Sequence, residues 1–361
     1  MTIGGVRPAV AAMPVYRPGK AAEQAEEEHG ISDAIKLASN ENPYPPVPSV
    51  IEAIASAASS VNRYCDHLAV DLRTAIGDRV GLDIDHVAVG CGSVGLLQQL
   101  CLAYLDPGDQ VVYPWRSFEA YPVNVQMMGA ESKHIPLVDH AFDLDQVAVG
   151  VSDRTKMIML ATPNNPTGTA VAVDELRSML AKVPDDVVVL VDEAYREFLD
   201  PSFGDPVELL ADHPNVVVSR TFSKAYGLAG VRVGYLVAHP DVIDQVNKVL
   251  APFAVNGLAQ AAALAALEAR DEYEPLLETL RAERGRIVGA LEADGWELPD
   301  AQANFVYLPL GDRTTEVYTA MEKRGVVTRP FAGEGIRVTI GTPAENDRFL
   351  STLAEVMAEA G

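Results

Sequence analysis

Between residues 86 and 237 the chain alternates short, nearly unbroken apolar runs with longer stretches in which apolar positions recur at helical spacing. The runs at 86–89, 110–113, 156–160, 187–191, 216–218 and 233–237 are rich in valine, isoleucine and leucine. Apolar runs this continuous read as strands covered on both faces. The stretches 94–104 and 173–182 read as helices, the second with Asp174 and Glu175 in its first turn, where carboxylates offset the helix dipole. Such alternation predicts an α/β fold whose large domain has a mostly parallel sheet with helices on both faces. Ligands in such sheets gather at the carboxyl ends of the strands, so the residues just after each run carry the chemistry.

The flanks are patterned differently. An acidic run at 23–28 reads as a solvated helix face, and Pro43, Pro45, Pro46 and Pro48 read as an extended connector. Beyond Pro252 an alanine- and leucine-rich helical tract continues through Leu267, followed by a charged helix at 272–293. Strand-like runs at 304–308 and 336–340 then predict a smaller α+β domain. The expected division is an N-terminal arm at 1–35, a large domain at 36–260 and a small domain at 261–361.

Composition narrows the partners. The 361 residues are 48% hydrophobic and 22% charged, which is enough for a large core. Net charge is −23, from 28 basic and 51 acidic residues, which argues against nonspecific binding to nucleic acid or to an anionic membrane. No apolar run approaches a membrane span, and no basic-then-apolar leader opens the sequence. Cys65, Cys91 and Cys101 lack CxxC spacing and leave one over, as in a reduced, cytoplasmic compartment. The seven histidines show no paired metal spacing, so no metal is expected.

Four constellations follow strand-like runs. Ser219-Arg220-Thr221-Phe222-Ser223-Lys224, with Arg232 beyond, packs hydroxyls and cations into one polar turn. A lysine there is either a solvated loop residue or one held to form a Schiff base with a pyridoxal-type aldehyde, its neighbours binding the phosphate. Gly90-Cys91-Gly92-Ser93-Val94-Gly95 matches GxGxxG between a strand and a helix, but no acid stands at a strand end about twenty residues on. A dinucleotide site, a general phosphate turn at a helix N-terminus and a plain glycine-rich turn all stay open. Thr162-Pro163-Asn164-Asn165-Pro166-Thr167-Gly168 forces a turn in which an asparagine amide either caps the backbone or meets a ligand oxygen. The run at 187–191 ends in Asp192-Glu193-Ala194-Tyr195. A carboxylate desolvated at that point needs a cation such as a protonated pyridine nitrogen, or else caps the next helix. Near the C-terminus Arg337 interrupts a β-branched run and either pairs with a protein carboxylate or grips a ligand carboxylate in bidentate fashion.

In order and approximate spacing these motifs resemble the fold-type-I pyridoxal-phosphate aminotransferases, within the histidinol-phosphate and aromatic aminotransferase branch. Supporting stretches are Lys36 through Tyr44, Arg63-Tyr64 and Asn304-Phe305. The resemblance implies pyridoxal 5′-phosphate as cofactor, with Lys224, Asp192 and Tyr195 as the catalytic set. Lys224 is similar to the lysine that takes the coenzyme aldehyde, Asp192 to the acid on the pyridine nitrogen, and Asn165 with Tyr195 to the partners of the ring hydroxyl. Thr221, Ser223 and Arg232, with the backbone of Gly92, Ser93 and Val94, would hold the phosphate. Phe118 would cover the ring, and Tyr64 would reach the phosphate from a partner subunit, which implies a homodimer. Arg337 resembles the substrate-carboxylate arginine, and Arg329, Tyr16 and Asn42 are further substrate-binding candidates.

Ser93 is followed by Val94-Gly95, where histidinol-phosphate enzymes usually carry an acidic pair. That turn and Trp115 through Tyr121 are closer to the actinobacterial aromatic, phenylalanine-type enzymes of the branch. The resemblance therefore implies ping-pong transfer from an aromatic amino donor to a 2-oxo acid acceptor, 2-oxoglutarate. Transfer from histidinol phosphate is the alternative. A phosphothreonine-type decarboxylase, or a nicotinamide-dependent oxidoreductase built on Gly90 to Gly95, are the further readings.

Overall fold

The computed structural model describes residues 4–13, 15 and 19–359, so the substrate candidate Tyr16 lies outside the described residues. Its strands are β1 (Ile35–Lys36), β2 (Val87–Gly90), β3 (Gln110–Trp115), β4 (Glu131–Pro136), β5 (Thr155–Ala161) and β6 (Val188–Asp192), then β7 (Val216–Thr221), β8 (Gly234–Ala238), β9 (Phe305–Pro309), β10 (Val326–Val327), β11 (Arg329–Phe331) and β12 (Gly335–Thr339). Seven of them form one sheet in the order β2-β8-β7-β6-β5-β3-β4. The pairs from β4 through β7 are parallel, whereas β8 runs antiparallel to both β2 and β7.

Residue alternation explains why these strands are apolar throughout. Ile158, Leu160, Val189 and Val191 enter one core, while Met157, Met159, Val188 and Leu190 enter the other. The first core is covered by helices Val70–Val80, Val173–Leu180 and Gly257–Glu268, the second by Gly92–Tyr104, Ala120–Met128 and Pro240–Lys248. Each fully buried valine or leucine stabilises this sandwich by roughly 1.5–3 kcal/mol relative to exposure. The mostly parallel, doubly covered sheet is the one the apolar runs predict, and all six runs lie on it. β4 escapes the pattern because it is an edge strand in which Ile135 alone is buried.

The C-terminal part is a three-stranded antiparallel sheet, β11-β12-β9, beside helices Arg270–Ala293, Thr314–Glu322 and Pro343–Glu359. β1 pairs in parallel with β10, which ties Ile35 and Lys36 to Val326 and Val327. Two expectations are corrected. Pro48 does not extend the connector but opens helix Pro48–Ala57, where its missing N–H and fixed φ suit the first turn. The tract after Pro252 becomes helical only at Gly257, where the Asn256 side chain caps the helix by accepting from the Ala259 N–H at 2.9 Å.

Candidate active site

A cavity of about 260 Å³ opens at the carboxyl ends of β5, β6 and β7. Ser93, Val94, Phe118, Asn165, Asp192 and Tyr195 line it together with Thr221, Ser223, Lys224, Arg232, Arg329 and Arg337. Residues read from motifs far apart in sequence therefore share one space.

Asp192 ends β6 and is 7% exposed. Burial pushes its carboxyl up to about 6, against the opposing hydrogen bond from Tyr121. Tyr121 is fully buried and donates to Asp192 Oδ2 at 3.1 Å, while Oδ1 is buried and lacks a hydrogen-bond partner among the described residues. A buried carboxylate with one unmet acceptor is suited to a donor from outside the chain.

Lys224 stands in the turn after β7, half-buried, and its Nζ donates to the Ser39 carbonyl at 3.1 Å. Burial, reinforced by the nearby Arg337 guanidinium, pushes its ammonium down to about 8. Lys224 also lies 5.9 Å from the centre of the Tyr195 ring. The Tyr195 hydroxyl accepts from Asn40 Nδ2 at 2.9 Å, and its ring packs edge-on against Phe305.

The polar turn is built from three segments. Thr221 Oγ1 donates to Ser223 Oγ at 3.1 Å, and Arg232 Nη1 reaches Ser223 Oγ at 3.4 Å and the Ala229 carbonyl at 3.0 Å. Arg232 itself holds φ +62°, a left-handed conformation unusual for a residue with a side chain. Gly92 holds φ +73° and a Cβ there would lie 2.5 Å from Arg232 Nη2. A Cβ on Gly234, the first residue of β8, would lie 2.6 Å from the Ser93 backbone nitrogen. Both glycines thus let the guanidinium and β8 approach the N-terminus of helix Gly92–Tyr104. Arg220, in the same motif, alternates to the other side of β7 and binds Glu193 and Asp205, each at 2.6 Å.

The two asparagines of the turn after β5 divide their tasks. Asn164 is wholly buried and closes the turn, accepting from Ser117 Oγ at 2.8 Å and donating to Thr167 Oγ1 at 2.8 Å. Asn165 faces the cavity, where its Oδ1 accepts from Arg337 Nη1. Arg337 also donates to the Ala38 carbonyl at 2.6 Å and lies over the Phe305 ring. Arg329 donates to Glu119 Oε2 at 2.7 Å.

Three described candidates are not among the residues that line this cavity: Gly92, whose backbone lies beside Arg232, and Asn42 and Tyr64. Asn42 donates to the Ala225 carbonyl and accepts from the Tyr44 N–H, so it buttresses the turn that carries Lys224. Tyr64 is 84% exposed and stacks on Phe253 with ring centres 4.4 Å apart. Tyr121, Asn40 and Glu119 contribute to the site without having been singled out in the sequence, because each is recognisable only by a partner distant in the chain. Glu28, His29 and Glu322 also converge within metal-ligand reach. Lys20 Nζ sits among them, 2.9 Å from Glu322, and supplies the positive charge there.

The residues fit a flat, phosphorylated pyridine coenzyme. Asp192 Oδ1 offers an unmet acceptor, the Gly92 turn lies beside Arg232 at a helix N-terminus, and Lys224 lines the same cavity with a depressed pKa.

Residues 32–353 match the family of class I and II aminotransferases. The aromatic amino acid aminotransferase of Thermobifida fusca is 50% identical over 347 residues, 96% of this chain and 95% of that protein. The enzyme of the same name from Streptomyces coelicolor is 49% identical over 349 residues, 96% of each. Among solved structures, histidinol-phosphate aminotransferase from Sinorhizobium meliloti in complex with pyridoxal-5′-phosphate superposes with a TM-score of 0.90 at 28% identity, covering 98% of each chain.

Proposed function

Because the chain belongs to the class I and II aminotransferases, we propose that it moves the amino group of an aromatic amino acid to 2-oxoglutarate, with pyridoxal 5′-phosphate as cofactor. The observation that carries this reading is the convergence of Lys224, Asp192 and Arg337 on one cavity of about 260 Å³. Near-full-length identity to enzymes named for aromatic amino acids supports the choice of donor.

When bound, the coenzyme supplies an aldehyde for the amine and a ring that accepts electrons as the Cα proton leaves. In this reading Asp192 would pair with the ring nitrogen and keep it protonated. Asn165 and Tyr195 would hold the ring hydroxyl, Phe118 would cover the ring, and Thr221, Ser223, Arg232 and the backbone of Gly92, Ser93 and Val94 would hold the phosphate. Lys224 Nζ would take the coenzyme aldehyde and would move the Cα proton as general base and acid. A pKa of about 8 leaves an appreciable neutral fraction near neutral pH, as a general base requires. Arg337 grips the α-carboxylate. In a ping-pong order the first product leaves before the second substrate enters, so one carboxylate site serves both.

Transfer from histidinol phosphate is the second reading, favoured by the presence of Arg329 in the cavity and opposed by its pairing with Glu119. Exposed Tyr64, stacked on Phe253, supports a homodimer in which Tyr64 completes the partner's phosphate site. Among the described residues no helix is long and apolar enough to cross a membrane, and a cytoplasmic location without a nucleic-acid partner belongs to the same reading. So does the division into an arm to residue 35, a large domain to residue 260 and a small domain beyond it. The test is a half-reaction screen that follows the visible absorbance of the lysine-bound coenzyme with phenylalanine, tyrosine and histidinol phosphate separately. Rapid bleaching by the first two is expected, and bleaching by histidinol phosphate alone would overturn the donor assignment.

A further inference from the structure

Strand register sets two arginines directly opposite each other. β11 and β12 pair antiparallel with Arg329 opposite Arg337, and directly opposed residues share one face of a sheet. Both line the cavity. Like charges in that relation repel, so each requires acceptors of its own. Arg337 donates to the Ala38 carbonyl and to Asn165, and Arg329 pairs with the carboxylate of Glu119. Glu119 follows Phe118 in the segment after β3 and also lines the cavity.

A second ion pair crosses the same boundary with its polarity reversed. Arg116 pairs with Glu334 in the turn between β11 and β12, and its guanidinium lies 4.6 Å from the Trp115 ring centre and 5.6 Å from that of Phe331. Each segment therefore contributes one arginine and one glutamate. Arg116 and Glu334 do not line the cavity, so they hold the hairpin to the large domain independently of Glu119.

Building on the aminotransferase reading above, we propose that Glu119 is a specificity-determining residue that competes with anionic substrate side chains for Arg329. A neutral aromatic ring leaves the ion pair intact. A substrate with a distal carboxylate or phosphate must displace the Glu119 carboxylate before it can bind Arg329. A dicarboxylate that succeeds engages both opposed arginines at once. Glu119 is 37% exposed in its side chain, so its carboxylate resolvates readily when displaced. The discrimination is accordingly graded, about tenfold, rather than absolute.

The test measures binding of glutarate and of 3-phenylpropionate to the coenzyme-loaded enzyme by calorimetry, in the wild type, Glu119→Gln, Glu119→Asp and Glu334→Gln. Glutarate should bind Glu119→Gln about tenfold more tightly than wild type, with 3-phenylpropionate unchanged. Glu119→Asp, which keeps the charge, should stay near wild type, as should Glu334→Gln. The proposal is overturned if Glu119→Gln leaves the glutarate-to-phenylpropionate ratio unchanged, or if Glu119→Asp or Glu334→Gln raises it equally. Because the readout is binding, it stands apart from the donor assignment, which wild-type turnover of phenylalanine decides.

Discussion

Tyr121 donates a hydrogen bond to one oxygen of Asp192, and the other oxygen is buried without a hydrogen-bond partner among the described residues. Burial and the neighbouring carboxylate hold the Tyr121 phenol well above its ordinary range, so it stays a donor at any working pH. The pair thus couples a fixed donor to a carboxyl with one acceptor still unmet.

For the coenzyme-free protein this arrangement is destabilising above neutral pH. The Asp192 carboxyl titrates at about 6 when folded against an ordinary value of 3.8, so the folded chain holds the proton more strongly. The stability this group contributes is present at pH 4 and below and is lost as pH rises through about 6. Asp192→Asn should raise the stability of the coenzyme-free protein at pH 8 by about 3 kcal/mol, with the gain vanishing near pH 4. The same variant should lose about a hundredfold or more in turnover. Denaturant titrations at the two pH values, alongside kinetics, check both outcomes.

Lys224 shows the opposite sign. Its ammonium titrates at about 8 against an ordinary 10.5, so amine-directed labelling of the coenzyme-free protein should rise with a midpoint near pH 8. Arg337→Gln removes a repelling cation and should move that midpoint upward, while lowering kcat/KM for amino acid and 2-oxo acid alike by roughly a hundredfold. Mass spectrometry of labelled peptides reads the first effect and steady-state kinetics the second. Lys224→Ala should lose turnover and the visible absorbance of the lysine-bound coenzyme together, and retention of both would end its assignment.

Gly234→Ala tests the phosphate turn without touching a charged group. The added methyl would meet backbone atoms of Gly92 and Ser93, which cannot rotate away, so the turn itself must shift. Coenzyme affinity should fall by at least about tenfold while far-ultraviolet circular dichroism is retained. Unchanged affinity would place the phosphate elsewhere.

The shared-site dimer can be tested by complementation. Mixing Tyr64→Ala with Lys224→Ala chains, unfolded and refolded together, should regenerate about a quarter of wild-type sites at limiting coenzyme, because each mixed dimer contains one intact site. Chains refolded separately should not recover it.

The central strands were legible because a strand buried on both faces has no polar positions to obscure it, as 187–191 illustrates. β4 was not, since an edge strand such as Glu131–Pro136 meets solvent and reads as a loop. Lys224, Asp192 and Arg337 stood out as polar residues at the ends of, or within, apolar runs. Tyr121 and Glu119 gave no such signal. Tyr121 looks like an ordinary core aromatic and Glu119 like a surface acid until folding brings Asp192 and Arg329 beside them. Pro48 misled because proline marks both extended chain and the first turn of a helix.

The reversed strand β8 has a consequence for the order of events in folding. Gly234 pairs with Gly90 on one side and with Thr221 on the other, and Arg232 arrives just before it. The backbone donors at Ser93 are made early in the chain, yet their cationic counterpart joins them only when β8 inserts between β2 and β7. That insertion closes one of the longest-range contacts of the sheet, the kind that forms late. Under the proposed assignment the phosphate site is therefore complete only once β8 has closed the sheet, although every residue assigned to it lies earlier in the chain.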